Sequence, residues 1–515
     1  MLKTIQTLNK AGIFTIKGIY RLSGSVYNHG VNLLALLQYS AKTYPEQIAV
    51  TDENESLTYE DLFIQSANLA NYFCTHDGLG QNKKVAIICS NHISLIRTLF
   101  AVSGTGADLY LLNPEMSRVQ LSGIIDKHGF DLVIHDPEVG LDGSHSGKTM
   151  LSYHDIKDSV DSISKQFIGK GNRISGKRNG QIIVFTGGTS GNQKTAPRKP
   201  SMFNFLSPMV ELIEKCKLNE VKSVYIATPI YHGFGLAALV LSMTLGARVF
   251  TMKTFDAVKA CGLIGHYKIE SICLVPLMLQ RMIRVKSLEN NQLKCIISGG
   301  ATLSSSLVKQ SQELLGNILY NLYGTSEAGF CILATPAGLV LNAGTIGRPV
   351  RGVKVSILKE ENKVPGTHEK GRLCVKSSWS IDRNAWIETG DIAYSDEEGR
   401  YYLCGRVDDM IVSGGENVYP SDLEIVLEQH PLIENSGVIG VEDKDFGQRL
   451  VAYIAVRESA YLNQVDIKSW LSDKVARYQI PREVVFLDAI PYTLLGKVDK
   501  RALLELHKTK MANEV

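Results

Sequence analysis

A chain of 515 residues, 44% of them apolar, is long enough for two or more domains with sizeable buried cores. Its formal charge of +3 is nearly balanced, which gives no case for nucleic-acid binding. Nine scattered cysteines without a Cys-x-x-Cys pair argue for reduced, buried thiols in a cytoplasmic setting, against disulfides or zinc ligands.

No stretch reaches the roughly 18 uncharged apolar residues of a membrane span, and the N-terminus lacks a signal-peptide pattern. It is unusual in another way. No Asp or Glu precedes Glu46, while Lys3, Lys10, Lys17 and Arg21 interleave with Leu8, Phe14, Ile16, Ile19 and Tyr20. Residues 1–30 therefore read either as a basic amphipathic arm on an anionic membrane surface or as an arm packed on its own domain.

From Val31 onward, helix and strand alternate. A helix leads to the strand Ile48–Thr51, and Thr58 with Asp61 forms a capping-box start for the next helix. Lys84–Cys89, Leu109–Pro114 and Leu132–His135 read as buried strands, with helical periodicity through Leu95, Leu99 and Val102 between the first two. This alternation predicts an α/β, doubly wound parallel sheet. Residues 136–179 are polar and Gly/Ser/Lys-rich, which predicts a surface excursion. The alternation resumes at Ser223–Ala227, Arg248–Phe250, Ser271–Val275 and Leu293–Ile297. Residues 344–402 read as a β-rich subdomain. Beyond Asp408 the texture becomes a compact α+β unit, with a capping box at Ser421-Asp422-Leu423-Glu424. The expected division is an arm (1–30), a large domain (31–407) and a small C-terminal domain (408–515).

The strand Gln181–Phe185 runs into Thr186-Gly187-Gly188-Thr189-Ser190-Gly191-Asn192-Gln193-Lys194. Little side-chain bulk, many N–H donors and one lysine suit a polyphosphate, although a solvated turn would look alike. A Walker A loop is excluded, because Asn192 and Gln193 separate Gly191 from Lys194. Five further stretches interrupt the core pattern at strand ends, the ligand edge of open α/β sheets. Tyr231-His232-Gly233-Phe234-Gly235 offers one polar head on an apolar wall. Ser298-Gly299-Gly300-Ala301 bares its backbone. Tyr323-Gly324-Thr325-Ser326-Glu327 combines a ring, hydroxyls and a carboxylate suited to Mg²⁺. Thr389-Gly390-Asp391 puts a carboxylate on a turn, and Tyr492 to Lys497 ends in a glycine and a lysine. Each alone has an ordinary structural explanation.

In this order, the set resembles the adenylate-forming superfamily of acyl-CoA synthetases, adenylation domains and luciferases. It looks most like the fatty-acyl-CoA synthetases, above all at Met410 to Pro420. Gly187, Gln193, Thr195 and Ser326 depart from the usual pattern but keep backbone donors or a hydroxyl. The resemblance implies an ATP-dependent carboxylate–CoA ligase that forms acyl-AMP and releases pyrophosphate, using Mg²⁺ and CoA. It assigns Thr186, Gly187, Gly188, Thr189, Ser190, Gly191 and Lys194 to phosphate, and Gly299, Gly300, Ala301 and Tyr323 to adenine. Asp391 and Arg406 fall to ribose, Ser326 to the α-phosphate and Glu327 to the metal. His232, Phe234 and Gly235 line the acyl pocket, and Gly414 and Gly415 the CoA channel. Asp408 is the hinge and Lys497 the adenylation lysine. The absence of a carboxylate after Tyr231 argues against amino-acid substrates. A medium- or long-chain fatty acid is the expected substrate, with aryl acids open. The alternative is an adenylating enzyme that loads a carrier protein. A peripheral membrane contact and a homodimer stay open.

Overall fold

The computed structural model describes residues 7–9, 12–141, 148–153, 159–166, 180–186, 194–198, 206–286, 288, 291–359, 366–382, 385–413, 416–443, 445–457, 461–493 and 496–513. Two compact units emerge. The first comprises Met1–Leu274, Val285–Ile297 and Ser378–Arg383, the second Val275–Arg284, Ser298–Ser377 and Asn384–Val515; Asp408 lies inside the second.

The first unit holds a six-stranded sheet in the order Lys148–Leu151, Leu132–His135, Lys84–Ile88, Asp108–Leu111, Ile182–Thr186, Lys194–Arg198. The first five strands are parallel and the last is antiparallel. All four residues of Leu132–His135 are buried, as a parallel strand covered on both faces requires. Four more parallel strands, Ser271–Leu274, Ser223–Ile226, Arg248–Phe250 and Ile48–Thr51, run side by side, with Ser56–Thr58 antiparallel at the edge. The doubly wound expectation holds.

Two local expectations need correction. The predicted excursion at 136–179 contains the strand Lys148–Leu151 and the helix Val160–Gln166. Short, polar edge elements give little periodicity from which to see them. The capping box at Ser421 is also absent. The helix starts at Pro420 with no side-chain cap; the Ser421 hydroxyl donates to Cys404 O at 2.6 Å, and Glu424 accepts Val438 N–H at 2.8 Å. Tertiary partners claimed both side chains. At Thr58 the cap is present, its Oγ1 accepting Asp61 N–H and donating to the Asp61 carboxylate.

The second unit is richer in antiparallel pairing. Leu319–Thr325 and Gly329–Ala334 form a hairpin edged by Arg348–Pro349. Lys354–Leu358, Gly371–Lys376, Ile387–Ser395 and Tyr401–Arg406 form a meander. A further sheet is built on the long pair Ile433–Asp443 and Gly447–Val456. Leu423, Leu427, Ile467 and Leu471 from its helices pack over it, each fully buried. All nine cysteines are thiols outside any disulfide, and eight are buried.

Candidate active site

Strand register builds the centre of the site in the second unit. Asp391 and Arg406 lie directly opposite each other on neighbouring strands, where side chains on one face meet. Arg406 Nη1 donates to Asp391 Oδ1 at 3.2 Å, and its Nε donates to Asp408 Oδ1 at 2.9 Å. One guanidinium thus spans two of the predicted residues. Tyr323 adds a third contact, its hydroxyl donating to Asp391 Oδ2 at 2.6 Å. Burial, then the Asp391 charge, holds that phenol well above its ordinary value, so it stays a donor. Gly390 makes room: its φ is +78°, and a Cβ there would lie 2.9 Å from Arg406 Nη2.

Lys497 closes the same group. Thr493 N–H donates to Lys497 O at 2.8 Å and Gly496 N–H to Thr493 O at 2.8 Å, fixing a tight turn. Gly496, at φ +68°, packs so closely that a Cβ would meet Val275 Cγ2 at 3.0 Å and Leu277 Cβ at 3.1 Å. Lys497 is solvent-exposed along part of its length. Desolvation by the surrounding chain nevertheless pulls its ammonium below the usual lysine range, against the charge of Asp391 and with that of Arg406.

Ser326 and Glu327 sit half-buried in the hairpin turn, which Ala328 N–H closes on Thr325 Oγ1 at 3.0 Å. A carboxylate beside hydroxyl oxygens is a hard-donor set that fits Mg²⁺ completed by phosphate oxygens. Gly299 ends the strand Cys295–Gly299, followed by Gly300 and half-buried Ala301. Just before them Ser298 Oγ is buried with no hydrogen-bond partner among the described residues.

In the first unit, His232 caps the helix Gly233–Thr244 by backbone position alone, its ring 4.7 Å from that of buried Tyr231. Phe234 is half-buried and Gly235 buried on the first turn. Thr186 ends its strand and Lys194 begins the antiparallel strand beside it, so the glycine stretch joins two strands, not a strand and a helix. Gly187 to Gln193, with Gly188, Thr189, Ser190 and Gly191, lie outside the described residues, as do Gly414 and Gly415.

Two groupings escaped the sequence reading. Gln280 Nε2 donates to Asn435 Oδ1 at 2.9 Å and Arg284 pairs with Glu434 at 2.6 Å, tying the Pro276–Met282 helix to the strand beginning at Ile433. No local pattern announces a pair 150 residues apart. In the first unit, Cys89, His92 and Asp136 place three ligand atoms within 4.8 Å, the one such group among the described residues. Hydrogen bonds account for it. His92 Nδ1 accepts Leu95 N–H at 3.1 Å, leaving Nε2–H to donate to Asp136 at 2.8 Å. Ser152 Oγ and Ser90 N–H also donate to Asp136, at 2.6 and 2.8 Å. Burial would raise that carboxyl, but these donors outweigh it and hold it at about 2.

Carboxylate, guanidinium, phenol and lysine are thus brought together in the second unit. The chain belongs to the AMP-binding enzyme family, whose pattern matches residues 37–381. The pattern of that family's C-terminal domain matches residues 422–497. A 2-succinylbenzoate–CoA ligase of Geobacillus kaustophilus HTA426 is 28% identical over 488 residues, covering 91% of this chain and 97% of the relative. The fold matches an amide bond synthetase, McbA, from Marinactinospora thermotolerans with TM-score 0.81 at 22% identity, over 92% of this chain and 99% of that one. It also matches the o-succinylbenzoate coenzyme A synthetase of Bacillus subtilis bound to ATP and magnesium, with TM-score 0.76 at 23% identity, over 90% and 98%. The α/β architecture, with a large N-terminal and a smaller C-terminal domain, is thus that of adenylate-forming enzymes. ATP, Mg²⁺ and CoA fit an AMP-forming acid–CoA ligase, and the relatives do not point to the fatty-acyl subtype. No helix among the described residues is long and apolar enough to cross a membrane.

Proposed function

We propose that the chain is an ATP-dependent ligase that activates an aromatic carboxylic acid as its acyl-adenylate and passes the acyl group to CoA. The observation that carries this reading is Asp391, held between the Tyr323 hydroxyl and Arg406 with Lys497 in its field. A thiol cannot readily displace oxide from a carboxylate, because oxide is a poor leaving group. Attack of the acid on the α-phosphorus of ATP turns that oxygen into AMP and releases pyrophosphate. The difficulty is electrostatic, an anion meeting a polyanion. In this reading the Lys497 ammonium and the Ser326 hydroxyl are aimed at charge on the transferring phosphorus. Asp391 and Arg406 hold the ribose, Tyr323 with Gly299, Gly300 and Ala301 holds the base, and Thr186 to Lys194 cradles the phosphates. Mg²⁺ on Glu327 would neutralise phosphate charge. His232, Phe234 and Gly235 face the acid, Gly414 and Gly415 the CoA arm. Asp408 is the turning point between residues 31–407 and 408–515.

Aromatic acids are preferred over fatty acids because of the 2-succinylbenzoate–CoA ligase relatives. The apolar run Leu236–Leu241 suits either, since an apolar pocket discriminates weakly. Pyrophosphate release across 2-succinylbenzoate, benzoates and fatty acids, with CoA or a holo-carrier protein as acceptor, tests the reading. CoA-dependent turnover with an aryl acid supports it. A peak at one fatty chain length moves the substrate, and turnover with the carrier alone moves the acceptor.

A further inference from the structure

The helix Ile16–His29 is built inside out. A surface helix normally turns its large apolar side chains inward. Here the deepest positions are small, Gly18 and Ser25, both buried. Ile16, Ile19, Tyr20 and Tyr27, at i, i+3, i+4 and i+11, fall on one stripe of the opposite side. Their exposures are 90, 49, 81 and 75%. The body of the protein fixes this orientation. Leu8 is buried, Thr7 Oγ1 donates to Glu214 at 3.1 Å, and Asn28 Nδ2 donates to Gln38 Oε1 at 3.2 Å on the neighbouring helix. The stripe is therefore held outward, and it precedes the stretch matched by the family pattern.

Charge selects the occupant. The first 45 residues carry Lys3, Lys10, Lys17, Arg21 and Lys42 and no Asp or Glu, while the whole chain sums to only +3. All net positive charge thus resides in this segment. On the helix itself, exposed Lys17 adjoins the apolar stripe. A second copy pairing about a two-fold axis would set these cations against their own equivalents. An anionic lipid surface complements them, and isoleucine with tyrosine suits the boundary between headgroups and acyl chains. We propose that the Ile16–His29 helix is an in-plane anchor that seats the enzyme on anionic membranes.

The test is flotation of the full-length protein with vesicles of neutral phosphatidylcholine, or with about a third of the lipid replaced by phosphatidylserine. Binding to the anionic vesicles at least roughly tenfold stronger than to the neutral ones, and weakening with added salt, is expected. Ile16→Asp with Tyr20→Asp should abolish it, and Lys17→Gln should weaken it about fivefold, with the thermal melt unchanged. Equal binding to both vesicle types overturns the proposal, as does binding to neither. Light scattering that finds a wild-type dimer dissociated by Ile16→Asp assigns the face to a second copy and also overturns it.

Discussion

Asp136 and Asp391 are two carboxylates, each held by several donors, that differ in how completely they are closed off. Asp136 is closed: imidazole, hydroxyl and backbone N–H take its oxygens, and it is 1% exposed. It lies just past Leu132–His135, beside Lys84–Ile88, where the strand order of the first unit's parallel sheet reverses. That is where an open α/β sheet ordinarily receives a ligand. Here Asp136 is buried and its oxygens are taken by protein donors. Asp391 has a phenol and a guanidinium but keeps a face toward solvent and a lysine nearby. Polar residues brought together say little about function until the free lone pairs are counted.

Substitutions sharpen this contrast. Lys497→Ala should slow adenylate formation roughly 10²–10³-fold, as for loss of one preorganised donor, with little change in the melting temperature. In the wild type, adenylation should fall as pH rises, with a midpoint below the ordinary lysine value of about 10.4, because desolvation disfavours the charged form. Asp391→Asn removes a charge-assisted partner of Arg406 and is expected to raise KM for ATP about 10- to 100-fold, measured by pyrophosphate exchange. Asp136→Asn should act the other way, costing about 2 kcal/mol of stability by urea unfolding while leaving KM for ATP unchanged. Held at about 2 against an ordinary 3.8, Asp136 contributes stability that is complete above the ordinary value and lost as pH falls through about 2. Acid denaturation of the wild type should lose that increment, and the variant should lack it. The smallest effect belongs to Arg284→Ala. Its half-exposed pair with Glu434 is worth under about 1 kcal/mol, read as a few-fold slower adenylation, with charge reversal of both residues restoring the rate.

Much of the fold was legible because buried parallel strands are continuous apolar runs. Lys84–Ile88 and Leu132–His135 appear within a residue of their expected bounds. The site was legible where one short motif carries its own geometry. Thr389-Gly390-Asp391 and the Gly496–Lys497 pair both use a glycine at positive φ to let neighbouring atoms close in. What stayed hidden depends on partners far along the chain. Ser421 left its capping position for Cys404 O, and Asn435 found Gln280. The choice of acid is not legible for another reason: apolar runs such as Leu236–Leu241 do not encode the shape of the space around them. Relatives, not residues, turned the reading from a fatty to an aromatic acid.

The most direct test of the account is pyrophosphate exchange into ATP with 2-succinylbenzoate, comparing wild type with Lys497→Ala at matched folding. Exchange is expected in the wild type, with its loss by roughly two to three orders of magnitude in the variant. Equal exchange in both proteins would remove Lys497 from the chemistry and contradict the site assembled around Asp391.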